Sequence, residues 1–273
     1  MIAPTTGPTA HVADGTTARP GLPAGFPDEP LAAPSPGSLF REVGIVREIP
    51  RLLLSSPRLA AAPRGAGDPV LLVPGIGSDD WATAPLRAYL RRLGHDARGW
   101  GLGRNHGDVE ALVEDVAGVV TAWHEASGRP VNLVGWSLGG VVAREVARTH
   151  PDQVAQVISY GTPVVGGPVY TVMGSRYSPE TIAHILGIVE EANRIPIPVP
   201  LTSIFSRADA VVAWRASVDT RHSHTHHVEV RSTHAGLGLD PDVWLAVAHR
   251  LREPGPRGDI DGAAGDHLVD RER

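Results

Sequence analysis

A serine stands between two glycines in Gly135-Trp136-Ser137-Leu138-Gly139, and the surrounding segment VNLVGWSLGGVVAREVA reads as a strand, a tight turn and a helix. On such a strained turn, side chains at the glycine positions would collide with neighbouring backbone. The pattern alone is weak, because the chain has 31 glycines and short motifs match by chance. The strand–turn–helix context makes Ser137 a candidate nucleophile. The alternative is a glycine-rich turn in which the serine only caps a helix.

A serine hydroxyl is a weak nucleophile at neutral pH and needs a neighbouring base. His234 follows an apolar stretch in VEVRSTHAGLG, where the loop lets its imidazole reach Ser137. Asp209 follows another apolar stretch in SIFSRADAVV and is the candidate acid that orients the imidazole. Asp219 is the second candidate acid, and a turn-capping role is the alternative for Asp209.

Four other histidines, His222, His224, His226 and His227, lie before or at the start of the stretch that His234 follows. They therefore belong at the opposite end of that stretch from the candidate serine. Alternating imidazoles can bind a metal ion adventitiously, but no clustered carboxylates accompany these four. We expect a histidine-rich surface loop, no metal site and no cofactor.

Attack by a serine on a carbonyl group creates an oxyanion that needs two backbone N–H donors. One donor is expected from the residue after the nucleophile, Leu138. The other is expected from the loop Pro74-Gly75-Ile76-Gly77-Ser78, in which the flanking glycines let Ile76 turn its N–H inward. The alternative for this loop is a plain glycine-rich turn.

Apolar side chains beside these loops predict a substrate pocket. The candidates are Trp81, Trp136, Val164, Val165 and Trp214. Asn105, in GRNHG, is interpreted as fixing a loop rather than touching substrate. No arginine cluster marks a phosphate or carboxylate site, which favours a neutral carboxylic ester with an apolar acyl or alcohol part.

Short apolar runs alternate with helical patterns along the chain. The predicted strands cover residues 70–73, 95–100, 131–134, 154–160, 201–205 and 228–231. The predicted helices cover residues 85–93, 108–126, 138–148 and 241–251, with Pro85 in the first turn of one and Asp240 capping another. Strands separated by helices indicate an α/β fold with a doubly wound, mostly parallel sheet of about six strands. Ligands bind beyond the carboxyl ends of such strands, where the candidate residues lie.

The ends of the chain differ in composition from its centre. Residues 1–37 contain eight prolines and five glycines and predict a disordered tail, and residues 254–273 predict a flexible one. The folded domain is therefore placed at 38–253, with a small helical cap inserted at 161–200. Residues 38–68 read as a proline-interrupted amphipathic helix, whose apolar Val43–Leu59 stretch is expected to cover part of the sheet.

Composition excludes several classes of protein. The 273-residue chain has no cysteine, and all 25 of its basic residues are arginine, so thiolate, Schiff-base lysine and P-loop chemistry are excluded. A net charge of −5 with scattered arginines argues against nucleic-acid binding. The absence of a membrane-length apolar run and of a signal-peptide pattern predicts a soluble cytoplasmic protein.

The order Ser137, Asp209, His234, together with the PGIG loop, resembles the α/β-hydrolase superfamily. The segments PRGAGDPVLLVPG, VNLVGWSLGGVVARE, SYGTPVVGG, SRADAVVAW and STHAGLGLDPDVW are similar to those of bacterial esterase/lipase-like serine hydrolases, over about residues 40–253. Ala210 departs from the glycine that this group often carries. The resemblance implies a catalytic triad of Ser137, Asp209 and His234. Because residues 38–68 read as helical, we expect the two leading antiparallel strands common in the superfamily to be missing.

Three functions fit these features. The first is a serine esterase or lipase acting on a small-molecule ester through an acyl-enzyme. Acyl transfer to an alcohol uses the same triad, and competition between acceptors separates it from hydrolysis. The third is a non-catalytic binding protein on this fold, which a fluorophosphonate probe would not label. The sequence does not specify the physiological ester or the oligomeric state.

Overall fold

Six parallel strands form a single sheet in the computed structural model, which describes residues 31–258. The strands are β1 (Pro69–Val73), β2 (Asp96–Gly99), β3 (Val131–Trp136), β4 (Val154–Tyr160), β5 (Leu201–Ser206) and β6 (His226–Val230). Their order across the sheet is β2-β1-β3-β4-β5-β6, and every neighbouring pair is parallel. From β1 the chain adds β2 on one side of the sheet and then β3 to β6 on the other side, so the strand order reverses between β1 and β3. Their carboxyl ends therefore border the crevice in which doubly wound sheets bind ligands.

Helices cover both faces of this sheet, so the predicted α/β fold is confirmed. They are α1 (Glu48–Leu54), α2 (Ser56–Ala60), α3 (Asp80–Arg92), α4 (Val109–Ser127), α5 (Leu138–Thr149), α6 (Pro179–Ala192) and α7 (Pro241–Arg252). Alternate residues of a strand point to opposite faces. Accordingly Val70 and Leu72 pack with the residues of α3 and α7, whereas Leu71 and Val73 pack with those of α4 and α5.

Helix α3 begins earlier than the sequence pattern predicts. The side chain of Asp79 accepts a hydrogen bond from the N–H of Trp81 at 2.8 Å and caps the helix, so Pro85 lies inside the helix and not in its first turn. The predicted apolar face is nevertheless the buried one and includes Leu86 and Leu90. The capping aspartate, rather than the proline, determines where the helix begins.

The segment before β1 also differs from expectation. A 3₁₀ segment spans Pro36–Arg47 and leads into α1 and α2. Leu59 is buried with Val70 and Leu72, and Leu52 packs on the same core, so only this part of the stretch covers the sheet. Seven other apolar side chains of the 3₁₀ segment and α1 are exposed: Leu39, Phe40, Val43, Val46, Ile49, Leu53 and Leu54. Polar contacts also hold α1 in place, since Arg51 pairs with Glu48, Asp240 and Asp242. The described residues that precede β1 include no strand.

Residues 1–30 and 259–273, which make up most of the two predicted tails, lie outside the described residues. Residues 31–35 and 254–258 have no regular secondary structure, and Pro36 already belongs to the 3₁₀ segment. Within the described range, no helix is long and apolar enough to span a membrane.

The insertion between β4 and β5 contains 3₁₀ turns at Gly167–Tyr170 and Gly174–Arg176, followed by α6. None of the residues of α6 is buried. Its Leu186 approaches Gly166, and its main packing partner is the turn Gly167–Tyr170. The helix therefore rests on the inserted turn and not on the sheet.

Candidate active site

Ser137 occupies a strained position between β3 and α5. Its φ of 53° is the one positive value found for a non-glycine residue in the described chain. Its N–H donates to the carbonyl of Tyr160 on the neighbouring strand at 2.9 Å. A Cβ at Gly139 would lie 2.2 Å from the carbonyl oxygen of Val73, so the turn leaves no room for a side chain there. Local packing thus holds the serine in a costly conformation beyond the carboxyl end of β3.

The three residues of the predicted triad form one chain of hydrogen bonds. Oγ of Ser137 lies 3.1 Å from Nε2 of His234, and Nδ1 of His234 lies 2.8 Å from Oδ2 of Asp209. All three side chains are buried. In the neutral ring with its proton on Nδ1, the imidazole donates to Asp209 and can accept the serine proton at Nε2. This is the geometry that a serine needs for activation by a general base.

The carboxylate of Asp209 is fixed by its own loop. Oδ1 accepts hydrogen bonds from the N–H groups of Val211 at 2.9 Å and Val212 at 2.8 Å. These bonds leave Oδ2 directed at the imidazole. The turn-capping role and the role as partner of His234 are therefore performed by different oxygens of one carboxylate.

The proposed oxyanion loop runs directly beside the serine. A Cβ at Gly75 would lie 3.2 Å from Cβ of Ser137. Leu138 is the first residue of α5, so its N–H has no carbonyl partner inside the helix. The side chain of Ile76 is exposed. The loop and the start of α5 therefore both lie next to Ser137.

Asn105 ties the oxyanion loop to the segment after β2. Its side-chain amide donates to the carbonyl of Pro74 at 2.9 Å, and its backbone N–H donates to the carbonyl of Ser78 at 2.8 Å. Its own carbonyl accepts from the N–H of Gly77 at 2.8 Å. The side chain is buried. These contacts agree with the interpretation of Asn105 as a residue that fixes a loop.

The residues predicted to line a pocket occupy different surroundings. The ring of Trp136 lies 5.8 Å from that of His234, centroid to centroid. Trp81 is exposed at the start of α3, and Val164 and Val165 are half-buried after β4. Trp214 stacks on Phe205, with the guanidinium of Arg207 over its ring. Of the five, Trp136 contacts the hydrogen-bonded chain, and Trp214 packs against the loop that carries Asp209.

Asp219, the second candidate acid, belongs to a different buried cluster. Its Oδ2 accepts from Arg144 of α5 at 2.5 Å and lies 2.9 Å from Nδ1 of His222. Burial opposes its ionisation, but the charge of Arg144 and the hydrogen bonds from His222 outweigh burial and hold the pKa of Asp219 well below its usual range. Asp219 therefore anchors α5 and is not part of the chain that ends at Ser137.

The histidine-rich stretch is only partly a surface loop. His226 is exposed, but His222 is buried, and its Nε2 accepts from the N–H of Ile197. Nε2 of His227 accepts from the N–H of Asp219. The expectation of a surface loop is therefore wrong for His222, because the buried carboxylate of Asp219 requires a donor. No group of three or more potential metal ligands occurs within residues 31–258.

Two polar residues near the site, one in the Asp219 cluster and one beside the triad loops, were not found from the sequence. Arg144 gives no local signal, since an arginine within an amphipathic helix usually faces solvent. Glu42, in the 3₁₀ segment, accepts hydrogen bonds from the N–H groups of Ala210, His234 and Ala235. Its only sequence signal is a single acid in the apolar run LFREVGIV.

The chain is similar to a known protein family. The family described as "Serine aminopeptidase, S33" matches residues 68–221, which is more than half of the chain. The match includes Ser137 and Asp209 and ends before His234.

Several solved structures are similar to this chain. Lipase B of Aspergillus fumigatus is 22% identical over 75% of this chain, with a TM-score of 0.53, and the match spans 59% of that protein's length. The mature lipase BlEst2 of Bacillus licheniformis is 16% identical over 70% of this chain and 94% of its own, with a TM-score of 0.53. An alpha/beta superfamily hydrolase from Oenococcus oeni is 15% identical over 69% of this chain and 93% of its own, with a TM-score of 0.52. At these identities the similarity establishes the fold.

Proposed function

Because the chain belongs to the serine aminopeptidase S33 family of α/β hydrolases, we propose that it is a serine hydrolase that cleaves carboxylic esters through an acyl-enzyme. The observation that carries this proposal is the hydrogen-bonded chain from Ser137 through His234 to Asp209. A non-catalytic binding protein would not need a strained serine aligned with a buried imidazole and carboxylate.

In the first half of the reaction, Nε2 of His234 takes the proton from Oγ of Ser137 as Oγ bonds to the ester carbonyl carbon. The resulting imidazolium is stabilised by the carboxylate of Asp209. Collapse of the tetrahedral intermediate breaks the bond to the alkoxy oxygen, which leaves as the alcohol with the proton from His234. The product is an ester between the acyl group and Ser137.

In the second half, a water molecule attacks the acyl-serine carbonyl. His234 removes a proton from that water and returns it to Oγ of Ser137 when the carboxylic acid leaves. The N–H groups of Ile76 and Leu138 are the proposed donors to the oxyanion in both halves. Asn105 supports this role, because it fixes both ends of the loop that carries Ile76.

The substrate we propose is a neutral ester with an apolar acyl or alcohol part. The exposed side chains of Ile76 and Trp81 lie on the loop and helix start that follow β1, so an apolar group entering the crevice would meet them. The lipase and hydrolase structures share the fold and so are compatible with this chemistry.

The family name raises peptide hydrolysis as a second candidate. An aminopeptidase must bind the ammonium group of its substrate, for which a free carboxylate is the usual partner. Asp79, Asp80 and Asp209, which flank the crevice, each accept hydrogen bonds from backbone N–H groups. Because the chain itself already uses part of the acceptor capacity of these carboxylates, they are less available to an ammonium group, which favours the ester over the peptide.

The deciding experiment is a hydrolysis screen of p-nitrophenyl esters from two to sixteen carbons, together with aminoacyl p-nitroanilides, on the wild type and Ser137→Ala. We expect ester turnover that depends on Ser137, with labelling of that residue by a fluorophosphonate probe. Turnover of the anilides above that of the esters would reassign the enzyme as a peptidase. A folded wild type that neither turns over any ester nor reacts with the probe would contradict a hydrolase. Diversion of product to an added alcohol in preference to water would indicate an acyltransferase.

A further inference from the structure

The side chain of Glu42 connects the loops that follow β5 and β6, beyond the last paired residues of these strands, Ser206 and Val230. Its Oε1 accepts from the N–H of Ala210 at 3.3 Å and from the N–H of His234 at 3.1 Å, while Oε2 accepts from the N–H of Ala235 at 2.7 Å. Ala210 directly follows Asp209. One carboxylate therefore holds the backbone on which the proposed acid is carried and the backbone on which the proposed base is carried.

Neighbouring contacts seat the same 3₁₀ segment, Pro36–Arg47, on both loops. The hydroxyl of Ser38 donates to the carbonyl of Ala210 at 2.6 Å, so both backbone groups of Ala210 are bonded to this segment. A Cβ at Gly44 would lie 2.9 Å from Cγ2 of Thr233, which shows how closely the segment approaches the loop that carries His234. Glu42 itself is half-buried.

A carboxylate suits this position for a physical reason. Three N–H donors converge on it from two loops, and an ionised carboxylate has four lone-pair positions to accept them. Hydrogen bonds to a charged acceptor are shorter and stronger than neutral ones. Without the acceptor, three partly buried N–H groups would lack a partner, and the two loops could separate from each other.

We propose that Glu42 is a positioning residue that keeps Asp209 and His234 at the separation the reaction needs. The 2.8 Å contact between these two side chains depends on the relative placement of loops that follow β5 and β6. The inference rests on the proposed function, because it concerns the turnover of an ester. It assigns Glu42 an effect on turnover and not on substrate binding. If Glu42 served stability alone, its loss would lower the melting temperature and leave kcat unchanged.

The test compares Glu42→Ala, Glu42→Gln and Ser38→Ala with the wild type, and Glu114→Ala serves as the control for loss of an exposed glutamate, on α4. For each variant we would measure kcat and KM on a p-nitrophenyl ester, the rate of fluorophosphonate labelling, and the melting temperature. The kinetic measurements are made well below each melting temperature.

We expect Glu42→Ala to lower kcat by about 10- to 100-fold with KM nearly unchanged, since small displacements of catalytic groups cost rates of that order. Glu42→Gln should be intermediate. Its amide oxygen can keep the bonds to Ala210 and His234, but its NH₂ group faces the N–H of Ala235. The labelling rate should fall in parallel, because the probe requires the same activation of Ser137. Ser38→Ala should lose less, and Glu114→Ala nothing.

A folded Glu42→Ala with wild-type kcat would overturn this role, and so would a change confined to KM. If Glu42→Ala does not fold, Glu42→Gln decides: wild-type turnover in that variant overturns the role, and a loss of kcat at unchanged KM supports it. A wild type that neither hydrolyses esters nor takes up the probe overturns the proposed function together with this role. If the wild type is active and the Glu42 variants have the same kcat, only the positioning role of Glu42 is overturned.

Discussion

The guanidinium of Arg144 lies 2.5 Å from the carboxylate of Asp219, with both side chains buried. Arg144 is on α5, the helix that begins immediately after Ser137, and Asp219 lies between β5 and β6. The pair therefore fastens the helix of the proposed nucleophile to a loop on the far side of β4. Asp219, whose position in the sequence also suits a triad acid, is thus an anchor of the fold.

Asp219→Asn should lower stability and spare turnover. Removing one partner of a buried ion pair leaves the other charge uncompensated, so we expect a loss of about 3 kcal/mol, at the lower end of the known range because the amide keeps some hydrogen bonds. The measurement is urea unfolding at pH 7. Asp115→Asn, an exposed change on α4, is the control and should alter stability by less than about 0.5 kcal/mol. Equal stabilities of the two variants would show that the buried pair contributes nothing.

The same variant makes a prediction about pH. The pKa of Asp219 is lowered in the folded protein from its ordinary value of 3.8. A lowered carboxyl pKa stabilises the fold above the unfolded value, and this contribution is lost as pH falls below it. The stability gap between wild type and Asp219→Asn should therefore be constant at neutral pH and narrow below about pH 4. Melting curves from pH 7 to pH 3 test this prediction. A stability gap that widened on acidification would contradict it.

Ser137→Ala should abolish ester hydrolysis without unfolding the protein. The substitution removes the proposed nucleophile, and comparable changes in serine hydrolases reduce kcat on the order of 10⁴-fold or more. Steady-state kinetics and circular dichroism measure the two effects. Ser223→Ala, which removes an exposed hydroxyl, should behave as wild type. Residual activity within tenfold of wild type would exclude Ser137 as the nucleophile.

His234→Ala should be as damaging as Ser137→Ala, and the double variant no worse than either. Residues that act as one unit give losses that do not add. The comparison is kcat of both single variants and the double variant, with the exposed His226→Ala as the control. Multiplicative losses in the double variant would mean that the two residues act independently.

Asp209→Asn should cut kcat by roughly 10⁴-fold, because an amide allows the wrong imidazole tautomer and cannot stabilise the imidazolium. The fold should persist, since the amide oxygen can still accept from the N–H groups of Val211 and Val212. Turnover of this variant is compared with that of Asp219→Asn, which should remain within a few-fold of wild type. The reverse ranking would require the acid to be reassigned.

Local features of the sequence predicted much of the fold. All six strands begin within two residues of their predicted start, because apolar runs flanked by turns are a short-range signal. Gly135 and Gly139 mark the turn at Ser137 through their spacing in the sequence. The crowding at Gly135 comes from the nearby Gly139 and Gly140, whereas that at Gly139 comes from the distant Val73 and Pro74. The order of Ser137, Asp209 and His234 followed from the strands that precede them.

Other features depend on residues far apart in the chain. Both Asp209 and Asp219 follow β5, and only the position of Arg144 on α5 determines which of them carries a buried ion pair. Helix α3 begins at a capping aspartate that the apolar period does not mark. Most apolar side chains of the Val43–Leu59 stretch face outward, and Leu59 is the one that is buried in the core. The carboxylate of Glu42 accepts a hydrogen bond from the N–H of His234, which is 192 positions away in the sequence. Sequence alone determined the strands, the turn and the order of the polar residues, because those follow from short-range sterics and periodicity. Tertiary structure decided which carboxylates meet which donors, because hydrogen bonds and ion pairs depend on distances that only the packed chain defines.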